Sequence, residues 1–203
     1  FILNFARRTP WLDREIKAGR WTPLDGRSLS ECTLGVVGVG NIGSTVLRRA
    51  KAFGMKLIAT DPRTDIPLQL IDDSNLELTD LDDLLQRSDF VSLNCDLNDS
   101  TRGLIGEREL GLMQKSAVLI NTSRGPVVQQ AAIEEALVNG DIAGAGLDVF
   151  ETEPLPADSP LLKLDNVMLT PHLAQSSDRA AHRTHKRVVQ NVVELLDMHE
   201  GRG

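Results

Sequence analysis

The stretch Thr33-Leu34-Gly35-Val36-Val37-Gly38-Val39-Gly40-Asn41-Ile42-Gly43 runs a short apolar strand straight into three glycines at the GxGxxG spacing. That spacing alone is weak, because glycine is common; its context on both sides gives it weight. Behind it, Ile42, Val46, Ala50 and Phe53 recur at about helical spacing, with Arg48, Arg49 and Lys51 between them. An amphipathic helix therefore starts within the motif. Gly54 ends that helix, and Met55-Lys56-Leu57-Ile58-Ala59 reads as the next strand. Asp61 then stands 18 residues past Gly43, where dinucleotide-binding βαβ units place the acid that holds the adenosine ribose.

Each part has a physical reason. Gly38 allows the tight turn, Gly40 lets backbone approach a pyrophosphate, and Gly43 lets helix and strand pack closely. The exposed N–H groups and the dipole at the helix N-terminus attract phosphates. Asp61 can accept from a ribose 2′-hydroxyl but would repel a 2′-phosphate, which favours NAD over NADP. Arg63, two residues on, bears on the same choice in the other direction.

Composition fits a soluble α/β domain. The chain has 203 residues, a net charge of −7, only 3% aromatic residues and no Tyr. That balance argues against nucleic-acid binding, which needs a basic surface and usually stacking rings. No apolar run approaches the roughly 18 residues of a membrane span, and no signal-peptide pattern is present. Cys32 and Cys95 lack metal-like spacing and point to a reducing compartment, hence to the cytoplasm. His182 and His185 have a spacing that can hold a metal. They sit among Arg179, Arg183, Lys186 and Arg187, which would repel a cation, so no metal site is expected.

The order of elements follows from periodicity and breakers. Residues 1 to about 18 read as helix, with Pro10 breaking or kinking it. Residues 19–30 form a linker in which Trp21 is expected to be a packing anchor. After the first βαβ unit, Pro62 to Pro67 reads as loop and Leu76 to Leu78 as a short strand. Asp80 to Gln86 is a helix with Leu81, Leu84 and Leu85 inward. Strands are expected over residues 90–94, 117–121, 143–149 and 166–169. Helices are expected over 107–113, 130–138 and from Ala174 to about Met198, the last with Val188, Val192, Leu195 and Leu196 on its apolar side. Strands and helices alternate, and the strands are continuous apolar runs. The expected fold is α/β, a doubly wound parallel sheet of Rossmann type covered on both faces, formed as one dinucleotide-binding domain over residues 1–203.

In such sheets ligands lie outside the C-terminal ends of the strands. Three stretches stand there: Asn121-Thr122-Ser123-Arg124-Gly125, Asp148-Val149-Phe150-Glu151-Thr152-Glu153-Pro154, and Thr170-Pro171-His172. Hydride transfer from a hydroxyl-bearing carbon needs this set. A His takes the hydroxyl proton, a carboxylate on its other ring nitrogen fixes the tautomer, and an Arg grips a substrate carboxylate with two parallel hydrogen bonds.

With these residues in view, the chain resembles, over essentially its whole length, the nucleotide-binding domain of the D-isomer-specific 2-hydroxyacid dehydrogenases. The resemblance rests on residues 34–43, 98–105 (Asn98-Asp99-Ser100-Thr101-Arg102-Gly103-Leu104-Ile105), 119–125, 143–150 and 166–172, in that order. It implies an NAD-dependent dehydrogenase acting on a small 2-hydroxy or 2-oxo acid. Arg124 would bind the substrate carboxylate, His172 would be the acid/base and Glu153 its partner. Gly38, Gly40, Asn41, Ile42 and Gly43 would form the phosphate turn, with Asp61 on the ribose and Cys95 beside the adenosine. Thr122, Ser123, Arg124, Asp148, His172, Ala174 and Gln175 would surround the nicotinamide, Asp148 holding its carboxamide. Glu at 153 speaks against the formate-oxidising branch, which carries Gln there.

The resemblance also implies a homodimer and a second, substrate-closing lobe that this chain does not encode. Residues 1–18 and 174–198 would be the helices crossing between lobes. An NAD-sensing corepressor of the same family is the alternative from another class, and a solitary NAD-binding module without a reaction is a third. Two positions depart from the family pattern: Asp96 replaces the usual Pro after the strand near Cys95, and residues 171–179 lack the usual Gly, Thr and Glu after the His.

Overall fold

In the computed structural model, the residues described are 1–63 and 76–200. They divide into two units, Phe1–Pro171 and His172–Gly203. The first unit is built on a seven-stranded sheet of order β3-β2-β1-β4-β5-β6-β7. Its strands are β1 Thr33–Val37, β2 Lys56–Thr60, β3 Leu76–Leu78, β4 Phe90–Leu93, β5 Val118–Asn121, β6 Gly144–Leu147 and β7 Val167–Leu169. Every pairing is parallel, with Leu34 opposite Leu57 on one side of β1 and opposite Phe90 on the other. The chain moves outward from β1 through β2 and β3, then returns to β4 on β1's other side. The ends of β1 and β4 thus form a topological switch point, where open α/β sheets bind ligands.

The helices of this unit are α1 Ile2–Arg7, α2 Thr9–Lys17, α3 Asn41–Ala52, α4 Leu81–Arg87, α5 Glu107–Leu112 and α6 Gln130–Asn139. Two apolar cores lie on the two faces of the sheet. One gathers Leu84 and Leu85 of α4, Leu110 of α5, and Ile133 and Leu137 of α6. The other gathers Leu47 and Ala50 of α3 with Ala6 of α1, against Leu34, Val36, Leu57 and Phe90. β1, β4, β5 and β6 are buried along nearly their whole length, which is why they read as continuous apolar runs. Asp80 caps α4, its carboxylate accepting from the Asp83 N–H at 2.9 Å.

Several expectations need correction. The first helical segment breaks at Arg8, whose φ of 52° is left-handed, and not at Pro10. Pro10 sits in the first turn of α2, where its missing N–H removes no intrahelical bond. Trp21 is 86% exposed and is no packing anchor among the described residues. On α3, Ala50 is buried and Val46 packs against the core as expected, but Ile42 and Phe53 are exposed and Gly43, Ser44 and Leu47 complete the buried face. Close packing at Gly43 seats the first turn of the helix on the glycine loop and the sheet, and Leu47, one turn on, is fully buried. The Pro62–Pro67 loop lies outside the described residues beyond Arg63.

The second unit contains α7, Asp178–Glu200. It begins four residues later than expected, leaving Ala174 and Gln175 ahead of it. Its apolar stripe of Val188, Val192, Leu195 and Leu196 is exposed. Among the described residues no helix is long and apolar enough to cross a membrane.

Candidate dinucleotide site and the polar edge beside it

The switch point opens into a cleft of about 880 Å³ lined by Gly38, Val39, Gly40, Asn41, Ile42, Asp61, Arg63, Asn94, Cys95 and Asp96, among others. Its floor is the glycine turn. Gly38 has φ +90°, and a Cβ there would lie 2.8 Å from the Cys95 nitrogen, so the exits of β1 and β4 meet at this point. A Cβ on Gly43 would lie 2.0 Å from the Gly38 carbonyl oxygen, which seats the first turn of α3 directly on the loop. Gly40 differs: a Cβ there meets nothing within 4 Å. Its free side is open cleft, the space a pyrophosphate needs to reach the N-terminal N–H groups of the 12-residue helix α3.

Asp61 follows β2 and closes the other end of the turn. Its side chain is only 4% exposed. The Val39 N–H donates to Oδ2 at 2.7 Å and the Arg63 N–H to Oδ1 at 3.0 Å. The Arg63 guanidinium adds Nε to Oδ1 and Nη2 to Oδ2, both at 2.9 Å. The hydrogen bond from the Arg63 side chain is the main reason the carboxyl is held down at about 2, with the two backbone donors helping and burial opposing. Burial pushes the Cys95 thiol up, a backbone hydrogen bond opposes this, and the Asp96 and Asp61 carboxylates act with burial. Asn94 Oδ1 is a buried oxygen with no hydrogen-bond partner among the described residues, although its amide nitrogen donates to Ser92. An open cradle at Gly40, a buried acid beyond it and an unsatisfied acceptor in the wall fit a dinucleotide.

The neighbouring edge carries the polar residues expected after β5 and β6. Asn121 folds its own loop: Oδ1 accepts from the Ser123 N–H at 3.0 Å, and Nδ2 donates to the Arg124 carbonyl at 3.0 Å. A Cβ on Gly125 would lie 1.9 Å from the Phe150 carbonyl carbon and oxygen. This contact presses the Arg124 loop against the chain that leaves β6. There the Phe150 N–H donates to Glu153 Oε1 at 3.0 Å, and Gln130 and Glu151 exchange two backbone-to-side-chain bonds. Asp148 is buried and accepts from the Thr170 hydroxyl at 2.5 Å. Thr122 and Ser123 complete the loop, Ser123 buried.

The structure therefore brings Arg124, Asp148 and Glu153 to one edge, and gathers Gly38, Gly40, Asn41, Ile42, Asp61 and Cys95 at the cleft, with Gly43 buried behind the turn. His172, Ala174 and Gln175 belong to the second unit, where His172 has a left-handed backbone with φ 53°. Sequence reasoning missed the fork between Arg63 and Asp61, the Thr170–Asp148 bond and the seating of Gly125. An Arg two residues after the acid was the one visible signal for the first.

Residues 1–174 match the family described as D-isomer specific 2-hydroxyacid dehydrogenase, NAD binding domain, and the chain belongs to it. Within that family, it is 45% identical to a glyoxylate reductase of Korarchaeum cryptofilum, over 96% of this chain and 59% of that protein. A D-lactate dehydrogenase of Aquifex aeolicus, solved with NAD and lactic acid, superposes with a TM-score of 0.88 at 33% identity, over 97% of this chain and 63% of that one. A family member from Xanthobacter autotrophicus, solved with NADPH, superposes at 0.77 with 35% identity, over 85% of this chain and 54% of that one. The chain thus spans between about half and just under two thirds of the length of these relatives.

Proposed function

We propose that this chain is the cofactor-binding part of an NAD-dependent dehydrogenase that interconverts a small 2-oxo acid and its D-2-hydroxy acid. The observation that carries the reading is the joint presence of the dinucleotide cleft and, along the same sheet edge, Arg124, Asp148 and Glu153. The similarity to glyoxylate, hydroxypyruvate and D-lactate enzymes supports glyoxylate, hydroxypyruvate or pyruvate as the class of substrate.

NAD, when bound, supplies the hydride acceptor, and NADH the donor. Gly38, Gly40, Asn41, Ile42 and Gly43 would hold its pyrophosphate, and Asp61 its ribose, with Cys95 beside the adenosine. Thr122, Ser123, Asp148, Ala174 and Gln175 would line the nicotinamide side. Arg124 would grip the substrate carboxylate through two parallel hydrogen bonds, a geometry an ammonium cannot reproduce. His172 would take the proton of the substrate hydroxyl in oxidation and return it to the carbonyl oxygen in reduction. Glu153 would position the imidazole and stabilise its charged form. The rest of the protein would close over the substrate and exclude water, with α1, α2 and the exposed stripe of α7 meeting it, and the whole would act as a homodimer. The corepressor alternative gains no support from the relatives named above.

The test uses the full-length protein. His172→Gln should abolish turnover of 2-oxo acid while leaving NADH affinity close to wild type. Arg124→Lys should mainly raise KM and lower kcat/KM. Wild-type turnover by His172→Gln would show that another group handles the proton.

A further inference from the structure

A carboxylate has about four acceptor sites, and at Asp61 all four are taken. Two are filled by the backbone N–H groups of Val39 and Arg63, fixed by the course of the chain. The other two are filled by the Arg63 guanidinium. The carboxylate is shut in, while the Arg63 side chain is 52% exposed, and its Nη2 also donates to the Val39 carbonyl at 3.2 Å. An adenosine ribose offers two hydroxyl donors, so it can bind Asp61 only by replacing the two donors that are able to leave.

We propose that Arg63 is an exchangeable plug on the ribose-binding carboxylate, competing with NAD for Asp61 and, once displaced, serving as counter-charge for a 2′-phosphorylated dinucleotide. The proposal rests on the reading that the cofactor's ribose goes to Asp61. The exchange conserves the hydrogen-bond count at the carboxylate, two hydroxyl donors for two guanidinium donors. The released guanidinium stays at the rim, because its Cα is two residues from Asp61 and its own N–H remains bonded there. It then presents a planar fork suited to phosphate. Asp61 alone would exclude NADP by repulsion; Asp61 with Arg63 makes a pocket that weakens NAD somewhat and tolerates NADP.

Calorimetric titration of the full-length protein with NAD and with NADP tests this. Arg63→Gln should lower the Kd for NAD by about threefold, since the competitor is gone, and raise that for NADP by about tenfold, since the counter-charge is gone. NAD affinity that is unchanged or weaker in the variant would overturn the competition. NADP affinity that is unchanged or tighter would overturn the counter-charge. A second readout needs no substitution: NAD added to the unmodified protein should shift the NMR resonance of the Arg63 Nε–H and release it to solvent exchange. An Nε–H that stays protected at saturating NAD would overturn the exchange. Wild-type protein that bound neither dinucleotide would overturn the cofactor reading itself.

Discussion

Replacing Gly43 with Ala would put a Cβ 2.0 Å from the Gly38 carbonyl oxygen and 3.2 Å from Val36 Cγ1. The first contact is with backbone, which cannot rotate away, so α3 must lift from β1 or the glycine turn must shift. Overpacking of this kind costs about 1–3 kcal/mol, and a main-chain clash belongs near the upper end. For a unit of this size about 3 kcal/mol corresponds to a fall in Tm of roughly 6–12 °C. The same substitution at Gly40 meets open space, and Gly40 has φ −80°, which alanine adopts freely. Losing unfolded-state freedom stabilises by about 0.4–1 kcal/mol and a poorer N-cap gives a similar amount back. The net change should therefore lie within about 1 kcal/mol of zero. NAD binding should separate the two residues again: Gly40→Ala places a methyl where the cofactor must approach and should weaken NAD by at least about tenfold in a protein that is otherwise intact. Thermal unfolding and NAD calorimetry on the same preparations read both effects. Equal stability losses at the two positions, or wild-type NAD affinity in Gly40→Ala, would refute the reasoning.

Two further outcomes follow from single hydrogen-bonded groups. Asp80→Ala removes the cap of α4 and should cost about 1 kcal/mol in urea unfolding; an unchanged midpoint would mean the capping bond is not formed in solution. The Asp61 carboxyl is held below its usual value, at about 2, so its contribution to stability, about 2 kcal/mol, is complete above about pH 4 and is lost as pH falls toward 2. The stability difference between wild type and Asp61→Asn should therefore be flat above about pH 4 and shrink below it, and a difference independent of pH would count against the pairing with Arg63.

Much of this fold is legible in the sequence for identifiable reasons. β4 and β5 are covered on both faces, so Phe90-Val91-Ser92-Leu93 and Val118-Leu119-Ile120 announce themselves as apolar runs. Gly54 and Gly140 mark the ends of α3 and α6 because both adopt positive φ. The face of α3 was half legible: Ala50 is buried and Val46 packs on the core as the spacing suggests. Ile42 and Phe53, however, are exposed, and the row turns instead through Gly43, Ser44 and Leu47, of which the two small residues leave no trace in a hydrophobic pattern. The break at Arg8 was invisible for a related reason: a left-handed Arg carries no local signature, whereas Pro10 nearby does. At the site, residue types after strand ends pointed to Arg124, Asp148 and Glu153. The saturation of Asp61 depends on how Arg63 folds back across the turn, which spacing does not encode.

The most direct test of the account is turnover by the full-length protein with NADH and hydroxypyruvate, with the product's handedness determined. The account predicts one NADH oxidised for each D-glycerate formed, with no L product, and loss of that activity in Arg124→Ala. A protein that binds NADH at the glycine turn yet reduces neither hydroxypyruvate, glyoxylate nor pyruvate, or one that yields the L-hydroxy acid, would contradict it.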